Sequence, residues 1–143
     1  MLALVEPLAV AWHAVKISPF KQGDSVLILG GGPIGLAVIQ ALQAKGAGQI
    51  IVSEVAPRRK EFAKEFGAHY VLDPTKEDIV ARVRELCDGQ GAHLAFDATG
   101  VQVGVSGRFP PNLLIILSLE RSCVISGRPW IPARALLVVR GYR

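Results

Sequence analysis

The residues best placed to do chemistry lie in a glycine-rich turn, where Gly30, Gly32 and Gly35 fit the pattern G-x-G-x-x-G. An apolar stretch, residues 25–29, precedes the turn, and a stretch with helical spacing, residues 36–45, follows it. In this context the turn lets a pyrophosphate approach the backbone, and the free N–H groups at the positive end of the helix attract its charge. The pattern predicts a site for a phosphate-bearing cofactor, with a tight turn that binds no ligand as the alternative.

A carboxylate stands at the end of the second apolar stretch. Glu54 follows Gly35 by 19 residues, close to the roughly 20 at which dinucleotide-binding folds place the acid that receives the adenosine ribose hydroxyls. Because a carboxylate there would repel a 2′-phosphate, Glu54 favours NAD over NADP, although Arg58 and Arg59 could offset part of that repulsion. We therefore predict NAD as the cofactor, and the alternative is a solvated acid at a strand end.

The elements that position these residues alternate between strands and helices. A lead-in helix begins near Pro7, with Leu8, Ala11, Trp12 and Val15 on one face. One later helix carries Phe62, Ala63 and Phe66 on one side. The next helix begins near Thr75, which is predicted to cap it. Apolar strands are predicted at 25–30, 49–54, 69–72 and 92–97. This alternation predicts an α/β fold with a doubly wound parallel sheet of the Rossmann type, in the strand order 3-2-1-4.

The pattern changes after Gly100. Four of the nine prolines lie in the last 43 residues, and the segment 106–111, which ends in Pro110 and Pro111, interrupts the helix that a fifth crossover requires. We therefore expect an incomplete sheet with an irregular C-terminal tail. Alternatively, residues 113–119, 123–126 and 135–139 form strands that complete the sheet without a helix. The predicted organisation is a lead-in helix over 1–22, a dinucleotide-binding domain over 23–100 and a divergent tail over 101–143.

The charge of the chain is concentrated in this tail. The formal net charge is +4, but residues 101–143 hold six arginines and one acid, a charge of +5, which leaves −1 for residues 1–100. Scattered arginines without interleaved aromatic residues make a poor surface for stacking bases, so we expect no nucleic-acid partner. No apolar run approaches the roughly 18 residues of a membrane span, and the start resembles no signal peptide. We predict a cytoplasmic protein with no membrane contact.

The remaining reactive residue types form no catalytic set. Cys87 and Cys123 show neither a C-x-x-C spacing nor a disulfide framework, so we expect two reduced thiols. His13, His69 and His93 are scattered without metal-ligand spacing, and we expect a structural role for each. No nucleophile elbow and no P-loop lysine occur in the sequence. The sequence therefore predicts a binding site without catalytic residues.

The segment Ala98-Thr99-Gly100 leaves a second cofactor open. Flavoproteins of the disulfide-reductase type also show an apolar strand that ends in A-T-G, together with a similar glycine-rich start. In those proteins strands of another kind separate the two motifs. Here two further helix–strand units fill the gap, which favours the NAD interpretation over a flavoprotein-type fragment.

Over residues 4–100 the chain resembles the cofactor domain of zinc-containing medium-chain alcohol and polyol dehydrogenases, in particular the butanediol and sorbitol branch. The motifs that carry this resemblance are residues 5–14, 23–35, Glu54 with Arg58 and Arg59, residues 66–68 and residues 96–100. The resemblance implies an NAD-dependent oxidation of a secondary alcohol. It also implies that the pyrophosphate is held by Gly30, Gly32, Pro33, Ile34 and Gly35, the adenosine ribose by Glu54 and Arg59, and that Thr99 and Gly100 border the cofactor.

The resemblance further implies a catalytic zinc, near which Glu6 would lie as a ligand or as the partner of a bound water. Glu6 could equally be a carboxylate at a favourable helix start. The family's catalytic domain, with its zinc-binding cysteine and Gly-His-Glu motif, has no counterpart in the sequence, which starts just before Glu6. We therefore expect a fragment that binds NAD(H), does not bind zinc and is inactive alone.

Other roles stay open at this point. The same fold could sense NAD, or pair with itself or with dehydrogenase subunits, without catalysis. A degenerate product without function is also possible. The composition of residues 101–143, rich in arginine and proline, would fit translation in another reading frame, which a three-frame translation of the gene would test.

Overall fold

The computed structural model describes residues 5–99, 115–118 and 136–139. Its four helices alternate with the first four strands as predicted. In chain order, the elements are α1 (Val5–Ile17), β1 (Ser25–Leu29), α2 (Pro33–Ala44), β2 (Gln49–Ser53), α3 (Pro57–Glu65), β3 (Tyr70–Leu72), α4 (Ile79–Leu86), β4 (Leu94–Asp97), β5 (Ile115–Ser118) and β6 (Leu136–Val139).

The strands form one sheet in the order β3-β2-β1-β4-β5-β6. The predicted order 3-2-1-4 and the doubly wound α/β class are confirmed. In the parallel register Leu29 stands opposite both Ser53 and Asp97, so the carboxyl ends of β1, β2 and β4 meet at one edge. Successive strands are added on one side of β1 up to β3 and on its other side from β4 onward, so the gap between β1 and β4 is the switch point where such sheets bind ligands.

The sheet continues beyond β4 with two further short strands, β5 and β6, which no helix of the described residues connects. β5 pairs with β4 in parallel, and β6 pairs with β5 in an antiparallel register. Two of the three alternative strands in the tail are therefore present, and the last pair departs from the predicted all-parallel sheet. The third, residues 123–126, lies outside the described residues, as does Gly100.

Apolar side chains fill both faces of the sheet because helices cover both. Val26 and Ile28 of β1 belong to one cluster of buried residues, together with residues of α1 and α2. Leu27, which points to the opposite face, belongs to a second cluster with Val83 of α4. Each such side chain contributes about 1.5–3 kcal/mol on burial. The carboxyl edge of the sheet is thus held by a core on both sides.

Helix α1 buries a narrower face than its pattern predicts. Ala11 and Val15 are buried, but Leu8 and Trp12 are 48% and 47% exposed. The Lys45 ammonium lies 4.8 Å from the centroid of the Trp12 ring, a cation–π contact that covers part of it. The predicted apolar face of α3 is wrong in the same way, since of its three residues only one is buried: Ala63 is, while Phe62 and Phe66 are exposed.

The cap of helix α4 also differs from the prediction. The N-cap is Asp78, whose carboxylate accepts hydrogen bonds from the N–H groups of Val80 and Ala81 at 2.9 and 3.2 Å. Thr75 instead donates its hydroxyl and its N–H to Asp73. Aspartate is preferred over threonine at the N-cap because its side-chain oxygen accepts from the first free N–H groups of the helix.

Two histidines have the structural role predicted for them. His69 precedes β3, and its Nδ1 accepts the N–H of Ile50 at 3.0 Å. His93 precedes β4, and its Nδ1 accepts the N–H of Ser25 at 3.1 Å. Each imidazole therefore satisfies a backbone donor at the start of the neighbouring strand. Cys87 is a free thiol, as expected.

Across the described residues, no helix has both the length and the apolar character that crossing a membrane requires.

Candidate cofactor site

The glycine-rich turn begins in a backbone conformation that glycine adopts without strain. Gly30 has φ +96°, in the left-handed region that side chains disfavour. Its N–H donates to the carbonyl of Ser53 at 2.9 Å, which ties the turn to β2. A Cβ at this position would lie 3.0 Å from the carbonyl oxygen of Ala98. The turn therefore passes very close to the end of β4.

The other two glycines of the pattern serve different purposes. A Cβ on Gly35 would lie 2.0 Å from the carbonyl oxygen of Gly30, so glycine is needed there for α2 to start directly against the turn. A Cβ on Gly32 would meet nothing within 4 Å. The backbone of Gly32 thus borders open space at the N-cap of α2, where a ligand can approach it.

The start of α2 presents unpaired donors toward this space. The first hydrogen bond of the helix runs from the N–H of Leu36 to the carbonyl of Gly32 at 2.9 Å, and Pro33 has no N–H. The N–H groups of Gly32, Ile34 and Gly35 have no hydrogen-bond partner within the described part of the chain. No side chain caps the helix. Three free donors at the positive end of a helix form a site for an anion such as pyrophosphate.

Glu54 lies at the end of β2 beside the turn, where the sequence places it, but its contacts are more extensive than predicted. Its side chain is 4% exposed. Oε2 accepts the N–H of Gly31 at 2.7 Å, and Oε1 accepts those of Val55 and Ala56 at 2.8 and 2.9 Å. Glu54 therefore joins the glycine-rich turn to the start of α3, which sequence reasoning missed.

These contacts keep Glu54 ionised. Burial is the largest single influence and raises the pKa, but the three backbone donors and the Arg59 guanidinium together outweigh it, so the pKa lies below its ordinary value. Arg59 Nη1 lies 3.9 Å from Oε2 of Glu54. Oε2 accepts only one backbone hydrogen bond. It keeps a free lone pair, to which a ribose hydroxyl can donate a hydrogen bond.

The end of β4 completes the border of the site. Asp97 is 5% exposed, and its Oδ1 accepts the N–H and the hydroxyl of Thr99 at 3.0 and 2.7 Å. The N–H of Ala98 donates to the carbonyl of Leu29 at 2.8 Å. Thr99 is therefore held next to Gly30, and its place at the border of a bound cofactor stays a prediction. Asp97 was not predicted, although the Asp-x-Thr spacing is typical of such a side-chain turn.

A further acidic residue lies at the same edge, one strand beyond Glu54. Asp73 follows β3, and its Oδ2 lies 2.5 Å from Nζ of Lys60 on α3. The hydrogen bond of Lys60 is the largest influence on this carboxyl, followed by those of Thr75, and together they hold the pKa of Asp73 well below its usual range. No sequence motif indicated this pair.

The described residues do not fit a zinc site. No group of three or more histidine, cysteine or acidic residues among them could hold a metal ion. Glu6 is exposed on the first turn of α1. Its assignment to a zinc site stays a prediction, and no chemical step is derived through zinc for this chain.

Comparison with known proteins gives consistent matches. A family model described as zinc-binding dehydrogenase matches residues 33–107. Scyllo-inosose 3-dehydrogenase of Thermotoga maritima is 48% identical over 101 residues, which are 69% of this chain and 26% of that enzyme. The (R,R)-butanediol dehydrogenase of Bacillus subtilis is 49% identical over 102 residues, 71% of this chain and 29% of that enzyme.

The fold matches as well. The crystal structure of 2R,3R-butanediol dehydrogenase from Bacillus subtilis superposes with a TM-score of 0.70 at 41% identity, covering 86% of this chain and 36% of that one. The chain thus spans less than a third of the length of the two curated relatives.

Proposed function

Because the chain belongs to the zinc-binding dehydrogenase family, we propose that it is the NAD(H)-binding part of a zinc-dependent alcohol or diol dehydrogenase. The family consists of NAD-dependent zinc alcohol dehydrogenases. The observation that carries the proposal for this chain is the pairing of two features at one sheet edge. Three unpaired N–H groups lie at the start of α2, and an ionised, buried Glu54 lies beside them.

Each feature recognises a different part of the cofactor. The N–H groups of Gly32, Ile34 and Gly35 donate to the pyrophosphate oxygens, and the open space at Gly32 lets them approach. Glu54 accepts a hydroxyl of the adenosine ribose, with Arg59 beside it. The nicotinamide ring supplies the hydride acceptor when the cofactor is bound, and the residues of this chain bind and orient it.

The carboxylate of Glu54 also selects between the two nicotinamide cofactors. It is ionised at neutral pH because its pKa is lowered. A 2′-phosphate placed at the same point would bring like charges together in a largely buried site, which is unfavourable. NADH is therefore expected to bind more tightly than NADPH.

Among the described residues, no group of three or more histidine, cysteine or acidic residues could hold the zinc that activates an alcohol in the family. We therefore propose that the 143-residue chain binds NAD(H) without dehydrogenase activity of its own, and that alcohol oxidation belongs to the longer enzymes of the family. NADH titration of the purified chain, followed by cofactor fluorescence, tests the first statement. An assay for NADH production from 2,3-butanediol with added zinc tests the second, and turnover by the chain alone would refute it.

A further inference from the structure

Three cations and two carboxylates lie around the part of the edge where the adenosine ribose would bind. Arg58, Arg59 and Lys60 follow one another in the first turn of α3. No acid lies in that turn, so the three positive charges stand together at the positive end of the helix dipole. Such a cluster would attract a 2′-phosphate, in contrast to the preference that Glu54 indicates.

The two carboxylates neutralise the cations unequally. Glu54 lies 3.9 Å from Arg59, whose side chain is 59% exposed. Asp73 makes a much closer contact with Lys60, whose side chain is only 21% exposed. Arg58 forms no ion pair within the described residues. Of the three cations, Lys60 is therefore the one whose charge is most fully bound by a partner.

Hydrogen bonds fix the orientation of the Asp73 carboxylate. Its Oδ1 accepts both the N–H and the hydroxyl of Thr75, which leaves Oδ2 facing Lys60. Lys76 also lies 3.9 Å from Oδ2, but its side chain is 79% exposed. These contacts keep the carboxylate in place and ionised.

Asp73 also lies close to Glu54, the acid that we propose accepts a hydrogen bond from the ribose. The N–H of Glu54 donates to the carbonyl of Leu72 at 3.0 Å, and Leu72 directly precedes Asp73 in the chain. Lys60 lies on the same helix turn as Arg59, one residue further along. The pair formed by Lys60 and Asp73 is therefore the neighbour of the pair formed by Arg59 and Glu54.

We propose that Asp73 is a second specificity-determining residue, which excludes NADP by binding the charge of Lys60 and by adding its own negative charge near the ribose. This inference rests on the proposed binding of NAD(H). With Glu54 and Asp73 both ionised, the charges of Arg58, Arg59, Lys60, Glu54 and Asp73 sum to +1; Lys76, whose side chain is 79% exposed, is not counted. Removing the charge of Asp73 gives +2, and removing that of Lys60 gives 0. Cofactor preference follows this local charge because a 2′-phosphate adds about two negative charges.

The experiment measures the dissociation constants of NADH and NADPH for the whole chain and compares their ratio among variants. Asp73→Asn is expected to lower the NADPH/NADH ratio of dissociation constants by about threefold to tenfold. Lys60→Met is expected to raise the ratio. The double variant D73N/K60M is expected to lose most of the change caused by D73N, because the freed ammonium is no longer there.

The matched control is Asp88→Asn, which makes the same charge change at the opposite edge of the sheet. Asp88 has φ 51°, a conformation that asparagine tolerates. The control is expected to leave the ratio at the wild-type value. A purely structural role for Asp73 would weaken both cofactors equally and leave the ratio unchanged, so the ratio separates the two roles.

The outcomes distinguish this inference from the proposed function. A wild-type chain that is folded but binds no NADH overturns both. A chain that binds NADH, with the same ratio in D73N and wild type, overturns only the role of Asp73. If D73N does not fold, as judged by circular dichroism, K60M decides the matter alone, and an unchanged or lowered ratio in K60M refutes the inference.

Discussion

Replacing Glu54 with glutamine keeps the size of the side chain but removes one of its two acceptors. In the structure Oε1 accepts two backbone N–H groups and Oε2 accepts one, from Gly31. The amide nitrogen of glutamine is a donor, so it must face a donor at one of these two positions. Placing it at the Oε2 position costs the least, and it leaves the N–H of Gly31 without its acceptor.

The expected loss of stability follows from this arrangement. A hydrogen bond to a charged acceptor contributes about 1.5–3 kcal/mol, and the orphaned donor adds a desolvation cost. We therefore expect E54Q to lower the free energy of unfolding by about 2 kcal/mol. For a chain of this size, this corresponds to a decrease in melting temperature of about 4–8 °C. NADH affinity should decrease as well, because the turn and the ribose acceptor are both disturbed.

The assay is urea denaturation followed by far-ultraviolet circular dichroism, at pH 7. Glu65→Gln is the matched control, because Glu65 is exposed at the end of α3 and its side chain makes no ion pair or hydrogen bond within the described residues. Unfolding of E54Q and E65Q at the same urea concentration would contradict the stabilising role of the hydrogen bond between Gly31 and Glu54.

Further predictions concern pH, packing and strand capping. Folding lowers the pKa of Asp73 from its ordinary value of 3.8. The ionised carboxylate therefore stabilises the folded state above pH 3.8, and this stabilisation is lost as the pH falls further. The urea midpoint should decrease from pH 7 to pH 3, and the decrease should be smaller in D73N. Gly35→Ala forces a shift of α2 or of the turn and should lower the free energy of unfolding by about 1–3 kcal/mol. Gly32→Ala should lower it by less than about 1 kcal/mol, because a Cβ at that position meets nothing within 4 Å. Equal unfolding midpoints of the two variants would contradict this difference in packing. His93→Ala removes the acceptor of the Ser25 N–H and should lower the free energy of unfolding by about 1 kcal/mol. His13→Ala, at an exposed position, should leave the melting temperature unchanged. A shift in H13A as large as that in H93A would show that the bond between Ser25 and His93 contributes little.

Most of the fold, the glycine-rich turn and the placement of Glu54 at the end of β2 could be predicted from local sequence. The glycine spacing, the apolar strands and the position of Glu54 depend on residues near one another in the chain, where backbone preferences act directly. The strand order followed from connection rules. The structure confirms Gly30 and Gly35 as positions where the turn requires glycine.

What the sequence could not predict are contacts between distant segments. The bond from Gly31 to Glu54 spans 23 positions, and the pair of Lys60 with Asp73 depends on how α3 lies against β3. Periodicity identified Leu8 and Trp12 as apolar but could not indicate that the neighbouring helix leaves them half exposed. Strand β5 was uncertain because no amphipathic helix precedes it in the sequence.

The most direct test of the central claim is the titration of the folded 143-residue chain with NADH, followed by the fluorescence of the cofactor and by calorimetry. We expect saturable binding, in the micromolar to millimolar range, that weakens in E54Q and is unchanged in E65Q. Absence of a saturable signal at millimolar NADH, from a chain whose circular dichroism shows a cooperative fold, would contradict it.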